Sequence, residues 1–166
     1  MDFRGAAFAA IAVLALPALS ACGFTPLYAE PGVTPRLADI DVVTPEGRTG
    51  HLISENLQDD LAIDRGKAPA YRLALNVDER RYARGLSTEQ LATWYELSLK
   101  VSYSLIDIQS GKTLTAGIMP VSVSYNAVGD PYAGIVAQQD GQKRAAAEAA
   151  QRIRLELATY FAGLPK

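Results

Sequence analysis

Tyr95-Glu96-Leu97-Ser98-Leu99-Lys100-Val101-Ser102-Tyr103-Ser104-Leu105 alternates between apolar and polar without a break. A period of two over that length specifies a β-strand with one dry face and one wet face. A single dry face needs a single cover, so the sheet holding this strand should carry helices on one side only. Downstream, Ser110-Gly111 marks a turn into a further strand that ends at Tyr125. There Leu114, Ala116 and Ile118 keep one parity while Val121, Val123 and Tyr125 keep the other, with Pro120 at the changeover. A one-residue slip flips every side chain, so a β-bulge is expected at Pro120, on an edge strand. Upstream, Tyr71, Leu73, Leu75 and Val77 alternate with Arg72, Ala74, Asn76 and Asp78 to give another strand. Arg80 to Glu89 then reads as a charged loop around Gly85.

Ala38, Ile40 and Val42, interleaved with Asp39 and Asp41, suggest a half-buried first strand. Thr44-Pro45-Glu46 has the form of a helix start: a capping hydroxyl, a proline and an acid. Ile53, Leu57 and Leu61 form one apolar stripe, and Ser54, Glu55, Asn56, Gln58 and Asp59 are assigned to the wet face. Gly66 and Pro69 are the expected stops. From about Tyr132 a second helix begins, with Ala146, Ala149, Ala150, Ile153, Leu157 and Tyr160 opposite Lys143, Arg144, Glu148 and Arg154. The expected order is β-α-β-β-β-α. It implies an α+β fold: a two-layer α/β sandwich whose mixed four-stranded sheet is covered on one face by two helices.

The N-terminus has a different character. Arg4 precedes the uncharged, largely apolar run Ala6–Leu19, which is shorter than the roughly twenty residues of a membrane span. It closes on Leu19-Ser20-Ala21-Cys22, which resembles a bacterial lipobox. That resemblance implies cleavage before Cys22, a diacylglycerol on its thiol and an acylated, palmitate-type amine. The expected organisation is a signal peptide over 1–21, a lipidated tether over 22–35 and one domain over 36–166. Pro26, Pro31 and Pro35 are expected to forbid a helix in the tether and to favour extended or turn conformations. Gly23 occupies the place where an Asp commonly retains such proteins at the inner membrane, which favours the outer one.

The chemistry-bearing residues are few. The chain has one cysteine, one histidine and a formal net charge of -2, which gives no footprint for nucleic acid. No catalytic residue, metal-ligand set or cofactor motif is assigned. His51 reads as a surface or capping residue, and the carboxylate pairs Asp39/Asp41 and Asp59/Asp60 as solvated charges. Trp94 shares the parity of Glu96 and Lys100, so it should point away from the core. With Arg80, Arg81, Tyr82 and Arg84 it marks one end of the sheet. Guanidinium groups present a fork suited to phosphate.

Cys22-Gly23-Phe24-Thr25-Pro26-Leu27-Tyr28 resembles the start of the LPS-assembly lipoprotein family, LptE. The likeness extends to the order of elements and to Ser124-Tyr125-Asn126 at the end of the last strand. It implies a non-enzymatic, membrane-anchored protein that plugs and assists assembly of the outer-membrane β-barrel LptD. It implies a part in delivering lipopolysaccharide to the outer leaflet. On this reading Phe24, Leu27, Tyr28 and Trp94 are candidate partner contacts. Arg80, Arg81, Arg84 and Lys112 are candidate lipopolysaccharide contacts. The competing expectation is a freestanding, periplasm-facing lipoprotein that carries an amphiphile in an apolar cavity. The anchor itself is testable: a fatty-acid analogue fed to cells should label the wild-type protein and leave Cys22→Ala unlabelled, and equal labelling of both would remove Cys22 as the site.

Overall fold

Strand β3, Ala92–Asp107, lies inside the sheet. It pairs antiparallel with β2, Tyr71–Leu86, on one side and with β4, Thr113–Asn126, on the other. β1, Ile40–Val42, runs parallel to the first residues of β2, with Ile40 opposite Tyr71. The order is β1-β2-β3-β4, a mixed four-stranded sheet. The computed structural model describes residues 32–64, 66–86, 92–126 and 131–164. Cys22, Phe24, Leu27 and Tyr28 lie outside them.

The alternation in β3 holds throughout. Leu97, Leu99, Val101, Tyr103 and Leu105 are buried, while Glu96, Ser98, Lys100, Ser102 and Ser104 occupy the opposite face. Three helices lie over the buried face, where two were expected: α1, Val33–Ala38; α2, Gly47–Asp60; and α3, Pro131–Ala162. Ile53 and Leu57 of α2 meet Ile153 and Leu157 of α3 in one core with the β3 leucines. Ala145, Ala146, Ala149 and Ala150 are fully buried, and their small side chains let α3 approach closely. Opposite Tyr103 on β4 stands Gly117. A Cβ there would come within 2.8 Å of the Tyr103 ring, so the ring occupies the space a side chain would take. No helix among the described residues is long and apolar enough to cross a membrane.

Several local expectations give way. Pro35 does not forbid a helix, because it sits in the first turn of α1, where a missing N–H is tolerated. Ala38 ends that helix, so the first strand is shorter than its alternation suggested. Thr44 is not a helix cap. The N-cap of α2 is Glu46, with no side-chain bond, and Thr44 Oγ1 lies 2.9 Å from Ser54 Oγ. Ser54, assigned to the wet face, is buried because that contact and Gln58 satisfy its hydroxyl. α2 ends at Asp60, well before Gly66.

Two corrections concern the sheet. Arg80 to Arg84 is not a loop. β2 runs unbroken to Leu86, and Arg80, Arg81, Tyr82, Ala83 and Arg84 pair with Ser98, Leu97, Glu96, Tyr95 and Trp94. Nor is there a bulge at Pro120: pairing is continuous from Leu99–Val121 through Lys100–Pro120 to Val101–Met119. The irregularity lies between Leu105 and Ile106. β4 is an edge strand, as expected, so its proline can direct the missing donor away from the ladder. That edge is further blunted from α3: Arg152 donates to the Pro120 carbonyl and Arg144 to the Ser124 carbonyl, both at 3.1 Å.

Gly50 supplies the test of this packing. Its α-carbon lies so near the turn into α2 that a Cβ would sit 2.8 Å from the Pro45 carbonyl oxygen. In an unconstrained helix Gly→Ala stabilises by about 1 kcal/mol. Here the sign should reverse, and urea unfolding of Gly50→Ala should show a loss of about 1–3 kcal/mol. A gain in stability would mean that the Pro45 contact is absent.

Candidate functional site

The continuation of β2 and β3 past the helical cover creates a tip with two accessible faces. β2 has 16 residues, which at about 3.3 Å each gives a strand of roughly 50 Å. α1 and β1 join at the Tyr71 end, where the Ala70 and Tyr71 amides donate to the Asp39 carbonyl at 3.0 and 3.2 Å. The tip is therefore the end far from the point where the N-terminal segment enters the domain.

Strand alternation divides the arginines. Arg80 and Arg84 share the open face with Tyr82, and Arg81 takes the helix-side face. On the open face the cross-strand rows are Asp78–Lys100–Pro120, Arg80–Ser98–Ser122, Tyr82–Glu96–Ser124 and Arg84–Trp94–Asn126. Arg80 grips Asp78 with two donors, at 3.0 and 3.4 Å. Hydrogen bonding to Asp78, and then its charge, hold the Arg80 guanidinium above its ordinary pKa. Arg84 bonds Glu96 at 3.0 Å and lies 5.6 Å from the centre of the Tyr82 ring. Trp94 is 37% exposed and takes the outward parity expected of it. Lys100 has no ion pair among the described residues. With Asp78, Arg80, Tyr82 and Ser98 it lines a shallow depression of about 250 Å³.

On the helix side, Arg81 donates to Gln138 of α3 at 2.8 Å and stands 5.1 Å from the centre of the Tyr95 ring. Tyr95 in turn stacks on Tyr125 at 5.6 Å. Behind this group lies a residue that sequence reading missed. Glu79 accepts hydrogen bonds from buried Thr49 of α2 and from buried Gln142 of α3, the latter at 2.9 Å. It thereby ties both helices to β2. The available signal was parity, since Glu79 follows Val77 on the apolar side, where a carboxylate needs partners.

The four cations proposed from sequence do not form one cluster. Lys112 belongs to the β3–β4 turn, at the opposite end of the sheet from the arginines. Lys100, not singled out, is the lysine that joins Arg80. In the Lys112 turn, Asp107 accepts from the Ser110 hydroxyl at 2.6 Å and the Ser110 amide at 2.7 Å. These two bonds, the hydroxyl first, hold its pKa below the usual carboxylate value. His51 is exposed and pairs with Glu55 at 3.3 Å. Asp39 is held by Lys67 at 2.7 Å, and Asp41 lies 3.6 Å from Arg72.

No family model and no curated protein matches this chain. Solved structures do. A "putative lipoprotein" from Caulobacter crescentus CB15 is 47% identical, with a TM-score of 0.70, covering 80% of this chain and 98% of that one. Rare lipoprotein B from Shewanella oneidensis is 17% identical, with a TM-score of 0.55, covering 72% of this chain and 93% of that one. A minor lipoprotein from Acinetobacter baumannii is 15% identical, with a TM-score of 0.54, covering 74% and 92%. The latter two likenesses concern the fold alone.

The turn yields a pH prediction. A lowered folded-state pKa means that the Asp107 contribution is present above the ordinary carboxylate value of about 3.9 and lost as pH falls through the folded value. Ser110→Ala should move the Asp107 titration, followed by carboxyl-carbon NMR, upward toward that ordinary value. An unchanged titration would mean that the Ser110 hydroxyl bond does not form in solution.

Proposed function

The chain belongs to the family of the Caulobacter crescentus protein, and from that premise we propose that it is a lipid-anchored outer-membrane lipoprotein of the LPS-assembly type, a LptE-like plug and assembly partner for a LptD-like β-barrel. Cys22 carries the anchor, and the protein acts by binding, in the delivery of lipopolysaccharide to the outer leaflet.

The observation that carries this reading is the uncovered sheet face. It has Ser98, Ser102, Ser104, Ser122 and Ser124 together with charged side chains and a few exposed apolar ones such as Ile118, and no element of the described chain lies over it. A polar surface of this kind suits the wall of a water-filled barrel. A carrier would need an internal apolar cavity, whereas the core is filled by leucine, isoleucine and alanine side chains. The tip supplies the lipid side of the proposal. Arg80 and Lys100 flank one depression, and phosphates on lipid A would meet them through charge-assisted hydrogen bonds.

A paired measurement tests both halves. Tagged protein recovered from solubilised outer membranes should bring a β-barrel with it. The double variant Arg80→Glu, Lys100→Glu should keep the barrel and bind lipopolysaccharide more weakly. Added salt should weaken the wild-type interaction as well. Absence of any barrel would overturn the plug assignment. Loss of the barrel with unchanged lipopolysaccharide binding would make this depression a docking element.

A further inference from the structure

The two edges of the sheet differ. β4 is capped from α3, where Arg152 and Arg144 occupy the Pro120 and Ser124 carbonyls at 3.1 Å. β2 is covered by β1 only from Tyr71 to Leu73. There the Tyr71 amide donates to the Asp39 carbonyl at 3.2 Å, and the Leu73 carbonyl accepts from the Val43 amide at 3.0 Å. In an antiparallel ladder the backbone groups of successive residues point alternately toward the partner strand and away from it. Leu75, Val77, Glu79, Arg81 and Ala83 share the orientation of Tyr71 and Leu73, so their amides and carbonyls point away from β3. Among the described residues, no hydrogen bond from another element reaches these backbone groups. At about 3.3 Å per residue, the bare edge runs for roughly 30 Å.

Inward-pointing charges often guard such an edge, because they meet no partner on an incoming strand. Here their order has a consequence. Glu79 and Arg81 lie two residues apart on the helix side, and both are exposed. Neither makes an ion pair among the described residues: Glu79 accepts from Thr49 and Gln142, and Arg81 donates to Gln138. A second β2, laid antiparallel with Arg80 on a twofold axis, sets each Glu79 opposite the other copy's Arg81. The same register sets Val77 opposite Ala83, and on the open face Asp78 opposite Tyr82. The two Arg80 side chains meet at the axis, each already paired with its own Asp78 at 3.0 Å. Moving the axis to Glu79 would oppose two carboxylates and leave Arg81 beside Val77. The charges of this edge are thus complementary to the same edge run in the opposite direction.

We propose that the β2 edge from Leu75 to Ala83 pairs with the same edge of a second copy of this chain, about a twofold axis at Arg80. Facing edge residues, such as Glu79 and Arg81, exchange two backbone hydrogen bonds, and the contact is self-complementary. Two four-stranded sheets become one continuous sheet. All helices lie on one side of it, and the two open faces join into one polar surface. This goes beyond the proposed function and does not rest on it, since the contact uses the edge and leaves the open face uncovered.

Cys22 is the only cysteine of the chain, so the wild type reports the background of disulfide cross-linking. Across the axis, Arg80 faces its own copy in a non-hydrogen-bonded pair, with α-carbons about 4.5 Å apart, inside the disulfide range. Full-length Arg80→Cys, purified in uncharged detergent and mildly oxidised, should form dimers well above that background. Asp78→Cys and Tyr82→Cys should each cross-link poorly alone and efficiently when mixed, because they face one another. Ser122→Cys, exposed on the other edge strand, should stay at background. In the Arg80→Cys chain, Arg81→Glu and Glu79→Lys should each lower the dimer yield roughly tenfold. Mixing those two chains should restore it, because each then meets the opposite charge. Dimers no more abundant than in the wild type, equal dimers from Ser122→Cys, or no recovery on mixing would overturn the proposal. So would oxidation in isolated membranes that links the Arg80→Cys protein only to a different polypeptide, which would give the edge to a foreign strand.

Discussion

A strand buried on one face and wet on the other imposes a division on everything packed around it. β3 makes that demand most strongly, because Leu97, Leu99, Val101, Tyr103 and Leu105 all reach the core while the intervening residues carry serine, glutamate and lysine. Helices can satisfy only the first set. α2 and α3 must therefore lie on the same side and meet each other there, through Ile53, Leu57, Ile153 and Leu157. Each fully buried aliphatic side chain contributes about 1.5–3 kcal/mol. The wet face offers no comparable gain for a covering element. Among the described residues no element benefits from closing it.

That division explains what the sequence made legible. Where a helix covers the strand, apolar and polar residues alternate and the strand announces itself, as in β3 and in β2 from Tyr71 to Val77. Past Val77 the strand goes on, but its cover thins. Glu79, Arg81 and Ala83 are exposed as well as Arg80, Tyr82 and Arg84, so no alternation survives and the segment looks like a loop. Hydrophobic period reports burial, and it reports strand only by way of burial. The same confusion misplaced the β4 irregularity. Ala116 and Ile118 are apolar but lie on the open face, Ile118 being well exposed. Taken as core residues, they forced a parity change at Pro120 that the pairing does not contain. The helix starts failed for a more local reason. A proline is tolerated in a first turn, so Pro35 need not belong to a helix-free tether, and a threonine hydroxyl can bond elsewhere, so Thr44 need not be a cap. Neither position follows from residue type alone.

The candidate site was legible only in outline. The residue types at the tip were visible, but their grouping was not, because grouping depends on which face each takes. One run of sequence, Arg80 to Arg84, supplies two surfaces. Arg80 and Arg84 are partly neutralised by Asp78 and Glu96, while Arg81 faces a neutral amide and an aromatic ring. Lys112 drops out once the β3–β4 turn is placed at the far end, and Lys100 enters because strand pairing sets it across from Asp78 and diagonal to Arg80. Charge counting cannot make that exchange. Register does.

Glu79 marks the boundary between the two halves. Below it, the space between sheet and helices is filled with aliphatic side chains. At its level the packing becomes polar, through Thr49, Glu79 and Gln142. Beyond it only the first turns of α3 accompany the sheet, and Tyr95 stacks on Tyr125 in place of an aliphatic core. Stability therefore resides mainly in the half that includes β1, and substitution beyond Glu79 meets few packing constraints. Two structures with 17% and 15% identity still share the fold. A fold specified by one alternating strand and two apolar helical stripes places few demands on residue identity, and it leaves the tip and the open face free to carry whatever recognition the protein performs.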